Sequence, residues 1–183
     1  MEEFYTYSML LSIATFTLST VISPGPNNIM LLSSGLTFGY KRTIPHMSGI
    51  VFGFPLMVLL VGLGMGVLFE KFPIIFSVLK IAGIAYLFWM AYKIANNKSS
   101  YEVNENKESK PFTFVQSALF QWVNPKAWIM AVTSISIFVT SSQSSLFQIL
   151  TIAFIYFLSG LVSTNTWTFG GVFFKKFIKD DTS

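Results

Sequence analysis

From Phe4 to Phe174 the chain is a succession of apolar stretches, and no Asp or Glu lies inside any of them. About 20 apolar residues is what an α-helix needs to cross a hydrocarbon core of about 30 Å. The expected fold is therefore all-α, a polytopic helical membrane protein with five spans. The first runs from Phe4 to Ile22, with a shorter apolar stretch from Asn28 to Phe38 behind a break. The others are Thr43 to Phe69, Phe72 to Ala95, Phe112 to Val139 and Leu146 to Phe174.

Composition supports one membrane domain over residues 1–183. Only 11% of residues are charged and 52% are hydrophobic, where a soluble domain carries about 25% charged residues. The deficit is spread along the whole length, so this is no soluble domain with one anchor. The polar stretch 96–111 reads as a cytoplasmic linker, with a first half at 1–95 and a second half at 112–183. The opening residues include Glu2 and Glu3, unlike the positive start of a signal peptide.

The distribution of basic residues sets an orientation. With the N-terminus outside, Lys41 and Arg42, then Lys93, Lys98, Lys107 and Lys110, then Lys175, Lys176 and Lys179 all flank cytoplasmic ends. Only Lys71 falls outside. This is the asymmetry that orients membrane proteins. It accounts for the net charge of +4 without a nucleic-acid partner.

Ser23-Pro24-Gly25-Pro26-Asn27-Asn28 interrupts the first stretch. Unbroken, Phe4 to Phe38 would make a helix of about 52 Å. Two prolines remove donors and clash with a continuing helix. The interruption is either a turn at the membrane surface or a broken helix lining a cavity. In the second case a helix starting near Pro26 offers free amides to a carboxylate. A second interruption, Asn124-Pro125-Lys126, lies inside the fourth span. Interrupted segments at matching places in two halves point to a transporter site. On the topology above they enter the membrane in opposite directions, as two inverted halves would.

Lys126 and Lys80 both lie within apolar stretches, where a cation costs about 2.5 to 3.5 kcal/mol on insertion scales. Each either snorkels to an interface or faces a cavity, and Lys126 there would pair with an anionic solute. His46 is an interfacial residue or a proton carrier. Gly49, Gly53, Gly62 and Gly66 suit close helix packing. The chain has no Cys and one His, so thiol chemistry, a metal site and a cofactor are not expected. No acid inside a span is available to meet a metal cation or a second substrate amine. The inventory also lacks the nucleophile–base pairs or paired carboxylates of an enzyme.

Ser-Pro-Gly-Pro-Asn at 23–27, Gly39-Tyr40-Lys41-Arg42, Gly49, Ala85-Tyr86-Leu87 and Gln121-Trp122-Val123-Asn124-Pro125-Lys126-Ala127-Trp128 together resemble the LysE/RhtB family of amino-acid exporters. The resemblance runs from about Phe4 to Lys175 and looks closest to the RhtB branch. It implies proton-driven export of a neutral amino acid, such as homoserine, threonine or leucine, across the bacterial cytoplasmic membrane. Pro24, Gly25, Pro26, Asn124, Pro125 and Lys126 match its motif positions, and Asn27 and Asn28 adjoin them. The expected partners are an amino acid, protons and the bilayer, with a homo-oligomer also compatible. Many relatives carry a sixth span after the stretch ending here at Lys176, and Pro-Gln-Phe where this chain reads Ser136-Ile137-Phe138. The alternative reading is therefore a truncated, non-transporting membrane protein or a partner subunit.

Overall fold

The computed structural model describes residues 5–65, 110–140 and 145–180, with single helical positions at Lys71, Ile74, Val78, Ile81 and Ala85. Lys80, most of the third expected span, residues 96–109 of the linker and Gly66 lie outside the described residues.

Every element described is helical. Helix α1 is Tyr7–Ile22 and opens on Thr6, whose hydroxyl accepts from the Met9 amide. It stops where Ser23 turns extended ahead of Pro24, as a residue before proline must. Helix α2 is Pro26–Leu60, continued by a π-helical turn over Val61–Met65. Helices α3 (Phe114–Val123) and α4 (Pro125–Phe138) are separated by Asn124 alone. Helix α5 is Ser145–Asp180.

Helix α2 is not one rod. Gly39 has φ 76 and ψ 172 inside it, a conformation that costs any residue with a Cβ. Ser34 and His46 would be about 18 Å apart along a straight helix, yet Ser34 Oγ lies 3.0 Å from His46 Nδ1. The chain therefore doubles back at Gly39, giving a first limb (26–38) and a second limb (40–60). A connecting loop is expected at Gly39–Arg42 from sequence. One left-handed glycine replaces it, and hydrogen-bonded helix resumes at once. By length and apolarity Pro26–Gly64 and Ser145–Lys175 are each able to cross a membrane. The first of these lengths is measured through the reversal, so it belongs to two limbs.

Helix α5 is the ruler for the rest. Thr17 meets Ser159, and the Val21 carbonyl meets Ser163. Further along, the backbone of Gly35 lies on Thr168, and Gly171 lies on Leu32 and Leu36. So α1 and the first limb run alongside α5 in its own direction. The second limb returns, with Phe54 against Tyr156 and Gly62 against Ile149. Helix α4 runs opposite to α1: Lys126 touches Ser23, while Phe138 touches Phe16 and Tyr5. Ser163 is close to the middle of α5, so the break after α1 sits near the middle of the bundle's height.

Small residues let these helices approach. A Cβ on Gly53 would come within 2.7 Å of Ala118 Cα, and one on Gly49 would strike the Phe114 carbonyl. In lipid, such close packing, rather than the removal of apolar surface from water, holds helices together. The interior is built from Ile13, Phe54, Met57, Trp128, Ile152 and Tyr156. Leu11, Phe52, Phe154 and Phe173 point outward, as a lipid-facing surface requires.

Candidate functional site

A helix ends with four carbonyls that have no intrahelical donor. After α1 the shortage is acute, because Pro24 and Pro26 carry no N–H. Side chains meet it from three directions. The Val21 carbonyl accepts from Asn28 Nδ2 at 2.7 Å and from Ser163 Oγ at 2.8 Å. The Ile22 carbonyl accepts from Trp167 Nε1 at 3.0 Å. The Ser23 carbonyl accepts from Asn28 Nδ2 at 2.8 Å and from Lys126 Nζ at 2.6 Å. Lys126 Nζ also donates to Ser23 Oγ at 2.8 Å and lies 3.4 Å from the Pro24 carbonyl.

This explains how a lysine is kept among apolar helices. It lies at the carbonyl end of α1, where the helix dipole favours a cation, and its N–H groups have protein acceptors. Gly25 is what lets it pass. The Gly25 backbone is extended and needs no glycine for its angles, but a Cβ there would sit 2.7 Å from Lys126 Cδ and 3.1 Å from Nζ. On the other side of the break, α2 starts with Pro26 at its first position and no side-chain cap. Its first backbone bond runs from the Ile29 amide to the Gly25 carbonyl.

The second break is built differently. Asn124 is its only non-helical residue. Its amide donates to the Gln121 carbonyl at 3.3 Å, and its Oδ1 accepts from the Lys126 amide at 3.1 Å, capping α4. Pro125 fills the first position of α4, where its missing N–H costs nothing. Trp128 Nε1 donates to the Trp122 carbonyl at 2.8 Å. All these partners are within a few residues.

The two breaks touch. Besides the Lys126 contacts, Asn27 and Gln121 exchange amide hydrogen bonds, Nδ2 to Oε1 at 2.8 Å and Nε2 to Oδ1 at 3.2 Å. Gln121 is completely buried, and its Nε2 also donates to the Ser117 carbonyl. Beside the junction lies a cavity of about 30 Å³, room for about one water. Asn27, Asn28, Asn124 and Lys126 line one part of it, and Phe54 and Met130 another. That volume is too small for an amino acid.

The structure thus brings together Pro24, Gly25, Pro26, Asn27, Asn28, Asn124, Pro125 and Lys126. It leaves His46 out. His46 packs on Phe112 near the Gly39 reversal and does not line the cavity. Its Nε2 is buried with no partner among the described residues. The cavity also takes Tyr156, Ser163 and Thr164 from α5, which the sequence reading passes over. A signal for them existed: Ser159 and Ser163, and Thr164 and Thr168, are polar residues four apart on an otherwise apolar helix.

Residues 18–181 match the family model described as LysE type translocator. The cysteine/O-acetylserine efflux protein of Salmonella typhimurium is 32% identical over 165 residues, 88% of this chain and 82% of that protein. Its counterpart in Escherichia coli O157:H7 is 30% identical over 177 residues, 95% of this chain and 88% of that one. The Escherichia coli K12 protein of the same name is 29% identical over the same shares. No solved structure matches significantly.

Proposed function

The chain belongs to the LysE-type translocator family, and from that premise we propose that it exports a small neutral amino acid across the bacterial cytoplasmic membrane in exchange for protons. As a translocator it is not an enzyme. The relatives above are named for cysteine and O-acetylserine, both zwitterions with uncharged side chains, and a substrate of that class fits the residues at the junction. Their names shift the substrate expectation from homoserine, threonine or leucine toward cysteine and O-acetylserine.

One observation carries the reading: two helix breaks running in opposite directions meet near the middle of α5 and are tied by Lys126. Two inverted halves, each contributing one break, would rock about this junction to open it to either side. The N-terminus is outside and the C-terminus cytoplasmic. The substrate carboxylate binds the uncapped start of α2, at Asn27 and Asn28, and competes with the Ser23 and Pro24 carbonyls for Lys126. Pro24, Gly25 and Pro26 hold the first break open to that exchange, and Asn124 and Pro125 aim Lys126 at it. Among the described residues no carboxylate lines the cavity, which disfavours substrates with an extra amine. His46, with its unpartnered buried nitrogen, carries the proton at the Gly39 end of the bundle.

The test is efflux of labelled cysteine and O-acetylserine from proteoliposomes holding the full chain. A pH gradient should drive it and a protonophore should abolish it. If confirmed membrane-inserted protein moves no neutral amino acid in a panel, the proposal is wrong.

A further inference from the structure

Resting on the export reading, we propose that the backbone carbonyl of Val51, stripped of its helical donor by Pro55, receives the substrate's ammonium group. A zwitterion needs two opposite receptors. The anionic half has Lys126 and the start of α2. The cationic half has no Asp or Glu among the described residues of the cavity lining, so the receptor sought there is a neutral dipole.

Pro55 lies inside α2. A proline in a helix interior has no N–H for the carbonyl four residues earlier, which here is Val51. Residues four apart share a helix face, and both Val51 and Pro55 line the cavity. Both are buried, so water from the bulk does not reach the freed oxygen. Such a carbonyl at membrane depth is tolerated where it borders a cavity, and freed carbonyls are a recurrent way of coordinating cations in transporters. Gly160 lines the cavity beside Val51, and a Cβ there would be in ordinary contact with Val51 Cα and Cγ2, both at 3.9 Å. The hydroxyl hydrogens nearby are already directed elsewhere. Tyr156 donates to the Met130 carbonyl and Ser163 to the Val21 carbonyl, which aims neither against an incoming N–H.

Pro45 provides the control. It is also inside α2 and also strips a carbonyl, that of Lys41, but neither residue lines the cavity.

The experiment uses the full chain in proteoliposomes. It measures the concentrations of cysteine and of 3-mercaptopropionate, its analogue without the amino group, that half-inhibit efflux of labelled cysteine. Pro55→Ala restores an N–H to the Val51 carbonyl. It should raise the cysteine value about 10-fold and leave the 3-mercaptopropionate value unchanged, while Pro45→Ala changes neither. Equal weakening of both compounds in Pro55→Ala, or no change in either, overturns the inference while leaving export intact. The same loss of discrimination in Pro45→Ala overturns it too. A wild-type chain that moves no labelled cysteine or other neutral amino acid overturns the export reading and this inference with it.

Discussion

The two helix breaks solve one problem in opposite ways. The break at Asn124 is self-sufficient: one residue, its own side chain as the cap, and a tryptophan four residues on to cover a carbonyl. The break at Ser23–Gly25 is held from outside. Its carbonyls are met by Lys126 on α4, Ser163 and Trp167 on α5, and Asn28 in the first limb of α2. Its far side has no side-chain cap at all. A break that closes on itself stays as it is when neighbouring helices move. A break completed by its neighbours changes when they move, or when a ligand takes one of their places. On the export reading proposed above, the Asn124 break would be the fixed jaw of the site and the Pro-Gly-Pro break the moving one.

The sharpest way to break this contrast is Lys126→Met. Charge-assisted hydrogen bonds are each worth about 1.5–3 kcal/mol, so transport should fall by about 10- to 100-fold while the protein still reaches the membrane in normal amount. Unchanged efflux would remove Lys126 from the site. Next is Gly25→Ala. The added Cβ occupies the path of the lysine, so transport should fall by about 10-fold while thermal stability drops by only about 1 kcal/mol. Asn124→Ala should show the reverse balance. Losing a helix cap costs about 1 kcal/mol of stability, with a smaller effect on transport. Equal transport losses in the two variants would end the distinction between a fixed and a moving jaw.

The Asn27–Gln121 pair comes third. Asn27→Ala leaves a buried amide short of a partner, at a cost of about 1–3 kcal/mol. The double variant Asn27→Leu with Gln121→Leu should recover much of that stability, and a thermal-unfolding cycle measures the coupling. Ser163→Ala is the smallest, at about 0.5–1 kcal/mol, because Asn28 still donates to the Val21 carbonyl.

Both breaks were legible in the sequence for a local reason. Proline removes a donor wherever it stands. Where prolines cluster with Gly or follow a capping Asn, as at Pro24-Gly25-Pro26 and Asn124-Pro125, they mark helix ends, whereas Pro45 and Pro55 are absorbed inside α2. The reversal at Gly39 was legible as a connection but not as a single residue, because a glycine's φ is chosen by what must meet on either side, here Ser34 and His46. Lys126 was legible as an anomaly in an apolar segment. That its nitrogen would meet the Ser23 carbonyl was not, since the orphaned acceptor lies 103 positions away. The α5 contribution was hidden for the opposite reason. Single Ser and Thr residues are common in apolar helices, and only their alignment with the break gives Ser163 its partner. His46 drew attention through its chemistry, and the fold places it away from the cavity.

The junction between the breaks admits a direct test, because the chain has no cysteine of its own. Asn27→Cys with Gln121→Cys, in the membrane and treated with a short thiol–thiol crosslinker, should join within the single chain and lose efflux. Reduction of a cleavable linker should restore it. A pair that labels freely yet never joins, or a joined chain that exports at the full rate, would contradict the claim that the two breaks meet and must part.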